Sequence, residues 1–326
     1  VTVAVLGLIA WLTVAVARGV DWTSVGSALH RLAWWQAPIL VALLLARQVL
    51  SAAPVARFVA GLGLTRALHN EVAANLVATV APPPGDMVLR VAMFRSWGVD
   101  AVGGMAGVTL ATTVFWGARF LAPPLGLAVV AARGIREREW LVASISAAIA
   151  VAIIAALLVL LRSESWADAG GRFAARAVTR VWRPVDAEAW AAAVVGFRAQ
   201  VSATLRAHLA PALALMLAGI LAEGLLLLAS LRFVGVGGSL SAIEILGVFL
   251  LAYPLTILPF LGLGVLDAAL VALWLTDSPA VPEATLVAGM VVWRAVSLGG
   301  TLVIGALSLA WWRWTTRGTS VGTDVP

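Results

Sequence analysis

The chain contains no cysteine and no lysine. Without thiols it can hold neither a disulfide nor a thiolate metal site. The three histidines, His30, His69 and His208, stand too far apart for ligand-like spacing, so no metal and no other cofactor is expected. Charge is scarce too: 12% of the 326 residues are charged, against roughly 25% in a soluble protein. Phosphate loops of the nucleotide type are missing, since Gly103–Gly104 and Gly235–Gly238 lack the strand–helix context and the lysine. With no ATP site, any transport would be passive or driven by an ion gradient.

What the chain has instead is apolar length. It is 62% hydrophobic with a mean hydropathy of +1.01. Runs such as Trp140–Leu161 and Leu209–Leu231 approach the roughly 20 residues needed to cross a bilayer. They do not alternate in polarity as barrel strands would. The expected fold is an all-α polytopic integral membrane protein. Its net charge of +6 comes entirely from arginine. No basic, aromatic-interleaved soluble domain exists to bind nucleic acid, so the excess reads as topology and as attraction to anionic lipid headgroups at the cytoplasmic face.

Val1–Ala17 reads as a retained first span, because no small-residue cleavage site follows it. The start at Val1, without methionine, implies a preceding segment. Asp21–Gln36 is too polar to cross and reads as an interfacial helix, anchored by Trp34 and Trp35. Ala37–Ala60 is the second span and Ala101–Leu121 the third, closed by Pro123–Pro124. Beyond a charged loop at Arg133–Glu139, the later spans are Trp140–Leu161, Leu209–Leu231 and Ala284–Trp312. The long polar region Arg162–Arg206 is arginine-rich and amphipathic, and it is expected in the cytoplasm. Counting outward then places both termini on the cytoplasmic side of the inner membrane.

Two places break this pattern. Leu68–Val80 and Met87–Trp97 are too short to span, and they flank the triple proline of NLVATVAPPPGDMVLR. Leu240–Leu258 and Ala268–Leu275 flank LPFLGLGVLD in the same way. Pro82, Pro83, Pro84 and Gly85 make the first break; Pro259, Gly262 and Gly264 make the second. Proline removes backbone donors and glycine lets the chain turn. Backbone left unsatisfied at membrane depth is tolerated only where protein or a watery cavity surrounds it. Each short pair therefore reads as a re-entrant hairpin, at 68–97 and 240–275, with two ordinary spans as the alternative. Pro82, Gly85 and Arg90 share their spacing with Pro259, Gly262 and Asp267. The same register brings Arg47 beside Glu223 and Arg66 beside Glu244. Two inverted repeats follow, 1–133 and 134–326, each with three spans and one hairpin.

These residues resemble the lysylphosphatidylglycerol synthase transmembrane, or flippase-like, family. Its first signature resembles Asn75, Pro82–Pro84, Gly85–Asp86 and Arg90 here. The second resembles GLGVLD, with Gly262, Gly264 and Asp267, where the family usually ends on glutamate. The family's final-helix arginine matches Arg294. Phe260 and Leu261 depart from a common Pro-Gly-Gly, and Thr112 and Thr113 from a common Glu-Arg pair. The family is similar to the membrane half of the multiple peptide resistance factor, so the resemblance implies lipid translocation without the aminoacyl transferase.

Asp86, Arg90, Asp267 and Arg294 form the central constellation, with Asn75 beside it. Ionisable groups in membrane segments face a cavity or one another. Here they either hold a lipid headgroup, arginine on phosphate, or lock the two hairpins together as ion pairs. Arg47 and Glu223 form a candidate buried pair. Glu71, Arg95 and Arg119 sit near expected boundaries and read as snorkelling side chains. The expected function is flippase-like movement of an anionic or amino-modified (glyco)phospholipid, or a polyprenyl-phosphate lipid. The alternatives are small-solute secondary transport, or an enzyme acting on a lipid-linked substrate with Asp86 or Asp267 as base. No nucleophile–base pair supports the enzyme. Neither a coupling ion nor a homo-oligomer is specified by any motif.

Overall fold

The computed structural model describes residues 33–80, 84–131, 137–181, 186–238, 240–258, 262–277 and 281–316. The expected span Val1–Ala17, most of the interfacial helix, and Pro82, Pro83 and Pro259 lie outside them. The described residues are helical, with no strand among them. Among the described residues, five stretches are long and apolar enough to cross a membrane: Gln36–Phe58, Ala101–Val130, Glu139–Val159, Thr204–Phe233 and Glu283–Thr316.

The first of these, α1 (Gln36–Phe58), is followed by two short helices, α2 (Leu64–Val80) and α3 (Gly85–Ser96). At 17 and 12 residues, α2 and α3 reach only about 26 and 18 Å, short of a hydrocarbon core of about 30 Å. They pack against each other. Next comes α4 (Ala101–Val130), opened by Asp100, whose carboxylate accepts the Val102 and Gly103 N–H groups. The sequence reading closed this span at Pro123–Pro124, but the helix runs through both prolines to Val130. Close packing explains the tolerance. A Cβ on Gly126 would sit 2.8 Å from the Gly247 carbonyl oxygen and 2.9 Å from the Leu251 nitrogen, so this turn of α4 lies directly on a neighbouring backbone.

After α4, α5 (Glu137–Arg162) crosses and α6 (Glu164–Val181) folds back onto α7 (Ala187–Phe233). The expected charged loop before α5 gives way to helix by Glu137. At 47 residues, α7 is about 70 Å long, roughly twice a bilayer core. Its N-terminal part and α6 account for the arginine-rich region. Ala167, Gly171 and Ala175, spaced four apart, are the buried stripe of α6. A Cβ on Gly171 would lie 2.5 Å from the Ala191 Cα, so the two helices touch backbone to backbone. Arg172 binds Asp168 in its own helix and Glu188 across the turn.

The second short pair comprises α8 (Ala242–Ala252), extended by a 3-10 turn at Tyr253–Ile257, and α9 (Val265–Asp277). A capping box between Ser241 and Glu244 starts α8. Gly262 and Gly264 have φ of 73° and 82°, a region that costs other residues dearly. A Cβ on Gly262 would also meet the Leu255 carbonyl oxygen at 2.7 Å. The last crossing is α10 (Glu283–Arg294), a π turn at Ala295–Gly300, and α11 (Thr301–Thr316).

The two short pairs are packed in similar ways. α1 lies along α7 at the centre. α4 packs on α8, the first short helix of the second pair, as α11 packs on α2, the first of the first pair. A glycine makes each crossing: Gly126 against Gly247, and Gly305 against Val72, whose carbonyl oxygen would be 2.5 Å from an added Cβ.

Candidate functional site

Among the described residues, the ion pairs inside this helix bundle collect in three places. The first lies between α2 and α3. Arg90, 8% exposed, donates to Asn70 Oδ1 at 2.8 Å and to Glu71 Oε2 at 2.9 Å. Asn70 is fully buried and turns its amide toward Met93 Sδ. The interaction therefore closes inside one short pair. Arg90 bonds neither Asp86 nor Asp267, its partners in the alternative ion-pair reading, and no described ion pair joins the two short pairs. Asp86 lies in the first turn of α3, where the N-terminal N–H groups favour a carboxylate. Asn75 is half-buried on α2; its backbone oxygen accepts from Thr79, and its side chain joins none of the clusters.

The second place is where α9 begins. Asp267 Oδ2 accepts the Gly264 N–H at 2.9 Å, and Oδ1 takes Arg294 Nε at 2.9 Å. Arg294 also approaches through its terminal nitrogen at 2.8 Å, so the guanidinium uses two donors on one carboxylate. The left-handed Gly264, the helix start and the last crossing are thus tied together at the second break. Arg294 is the final residue of α10 before the π turn. Such turns interrupt the regular ladder and recur at functional sites.

The third place joins α1, α7 and the last crossing. Arg47 Nε lies 2.7 Å from Glu223 Oε2, although Oε2 receives no well-aligned hydrogen bond. Glu223 Oε1 accepts Trp293 Nε1–H at 2.8 Å. Gln48 donates to Thr301 Oγ1 at 2.7 Å, and Thr301 back-bonds to the Ser297 carbonyl. Because Trp293 precedes Arg294, the second and third places adjoin at the end of α10. Tyr253 lies within electrostatic range of Arg47, Glu223 and Arg119.

Across residues 1–305 the chain matches the family described as the lysylphosphatidylglycerol synthase transmembrane region. The chain belongs to this family. The region matched is the transmembrane region that the description names. Together with five membrane-length helices, membership supports a flippase-like, lipid-translocating role in general. None of the curated proteins compared matches the chain.

Two members of the bundle were misread as snorkelling residues. Glu71 is the carboxylate partner of Arg90. The run of three consecutive polar residues, His69, Asn70 and Glu71, in this short helix was the available signal. Arg119 is 6% exposed and sits well inside α4. The expected helix end at Pro123–Pro124 had put it at a boundary. Trp293 and the π turn had no sequence signal beyond their nearness to Arg294. Among the described residues no group of histidines and carboxylates could hold a metal ion.

Outside the clusters, two open apolar grooves run along the α2–α11 face. One, of about 400 Å³, is lined by residues including Leu76, Leu309, Arg313 and Trp314. The other, of about 380 Å³, is lined by Leu68, His69, Val72, Ile304 and Trp311 among others. At its edge His69 Nδ1 and Ser308 Oγ lie 2.7 Å apart.

Proposed function

We propose that the protein moves a phosphate-bearing lipid, an anionic phospholipid or a polyprenyl-phosphate lipid, across the inner membrane. Its headgroup would pass the two breaks while its tails stay in the bilayer. The observation that carries this reading is the pairing of each break with a mostly buried arginine held by a carboxylate: Arg90 with Glu71, and Arg294 with Asp267. A guanidinium already oriented in a low-dielectric site can exchange a carboxylate for a phosphate with the same planar fork. The open, apolar α2–α11 grooves suit acyl or prenyl tails better than a sealed solute pocket would. Asp86 is the remaining acidic group at the first break, suited to an amine on the headgroup. In this reading α2–α3 and α8–α9 are re-entrant hairpins of two inverted repeats, 1–133 and 134–326. The matched glycine crossings of α4 on α8 and α11 on α2 support that plan.

The test is reconstitution into liposomes. Headgroup-labelled phosphatidylglycerol should equilibrate between leaflets faster with the protein than without it. A diacylglycerol of the same chain length should gain nothing, and small anions should not leak. Leakage of a small anion with no lipid movement would favour solute transport instead.

Orientation follows from the arginines of α6 and early α7, which belong in the cytoplasm. Single cysteines at Ala169 and Thr316 should resist an impermeant thiol reagent in intact cells and react after lysis. Reaction of either one from outside would reverse the topology.

A further inference from the structure

At the three clusters each arginine has a carboxylate: Arg47 has Glu223, Arg90 has Glu71 and Arg294 has Asp267. Arg119, by contrast, has none. It is 6% exposed, its Nε is enclosed with no acceptor, and among the described residues it forms no ion pair. Its guanidinium leans back along α4 over the rings of Phe115 and Trp116, 4.9 and 4.6 Å from their centroids. Ring faces attract a cation but accept few of the five N–H bonds a guanidinium offers. A desolvated charge left in this way calls for an anion from elsewhere.

The helix crossing says where that anion arrives. Gly126 meets Gly247, Leu250 and Leu251, and Val130 meets Gly247, so α4 and α8 run antiparallel. Two turns back along α4, Arg119 falls at the level of the 3-10 turn Tyr253–Ile257, which α4 also touches. That is the edge of the second break. Tyr253, buried on the same turn, lies within electrostatic range of Arg119 and brings a hydroxyl donor.

We propose that Arg119 is a docking point for a phosphate group entering from the second break, with the Tyr253 hydroxyl as a second donor. The planar fork suits two phosphate oxygens at once, and the aromatic pair keeps it extended when empty. The group is either the phosphate of a membrane lipid or free phosphate. The inference deepens the lipid-handling reading above and rests on it for the choice of lipid.

The full chain in a neutral detergent, free of phosphate, provides the test. Phosphatidylglycerol added as mixed micelles should raise the melting temperature of the wild type by roughly 5 °C at a hundredfold excess over its dissociation constant. The rise should be at least halved for Arg119→Met, since Arg90 and Arg294 remain. Without lipid, Arg119→Met should melt at the same temperature as the wild type or higher, because it removes an unneutralised buried charge. Tyr253→Phe should lessen the phosphatidylglycerol effect and leave the lipid-free melting temperature alone. A full effect from inorganic phosphate assigns the site to the free ion, and an effect from the lipid alone assigns it to headgroups. Equal stabilisation of wild type and Arg119→Met overturns the proposal. So does an Arg119→Met protein that melts lower or fails to fold, since the charge would then serve the empty structure. Transport is not read in this assay. A protein that flips no lipid yet shows this pattern keeps the phosphate site and loses the translocase reading, and the converse result does the reverse.

Discussion

Arg90→Ala is expected to destabilise the protein by about 3–5 kcal/mol, the usual cost of stranding one partner of a buried ion pair. The partner left behind is Glu71, whose side chain is 21% exposed and faces the α2–α3 interface. Asn70, fully buried, loses its donor in the same step. Thermal melting in detergent should record a large fall for Arg90→Ala. Arg90→Ala combined with Glu71→Ala should recover most of it, because the unpaired carboxylate is gone. Pairing Arg90→Ala with Asp267→Ala should recover nothing, since no bond joins Arg90 to Asp267. Recovery by Asp267→Ala in preference to Glu71→Ala would mean that the two short helix pairs are locked across the breaks.

Arg294→Gln together with Asp267→Asn is expected to spare the fold and reduce lipid movement at least tenfold, or about 1.4 kcal/mol of barrier. Asparagine can still accept the Gly264 N–H that opens α9. Glutamine retains a donor toward position 267 and much of the stem packing. What disappears is the charge and fork that would meet a phosphate. Melting temperature and flipping rate measured on the same preparation separate the outcomes. An unchanged rate in a well-folded double variant would make Arg294–Asp267 a structural tie only.

Much of this fold is written in the chain because membrane burial makes the rules severe. Apolar runs of about 20 residues have few structures open to them in lipid, so α1, α4, α5, α7 and the last crossing follow from length alone. The short helices were legible for the same reason, as were Gly262 and Gly264, whose positive φ fits the break at which they stand. Side-chain partnership was less legible, because it depends on rotation about helices and on which pairs adjoin. Arg90 could reach Glu71 only once α2 and α3 packed together, and spacing along the chain does not encode that. Arg47 and Glu223 were paired from their mid-span positions alone, and their ion pair joins α1 to α7. Arg119 was missed for a local reason. Two prolines ordinarily end a helix, but here α4 runs on past them and packs Gly126 closely on Gly247.

The central claim is that a lipid headgroup visits both breaks while its tails remain outside. A phosphatidylglycerol analogue with a photoreactive diazirine on the headgroup, cross-linked in reconstituted membranes and mapped by mass spectrometry, tests this most directly. The account predicts headgroup adducts between Asp86 and Arg90 and between Gly262 and Asp267. An analogue with the diazirine at the end of a tail should label the groove residues of α2 and α11, such as Leu76 and Leu309. Headgroup adducts confined to the outer surface of α5 or α6, with neither break labelled, would contradict it.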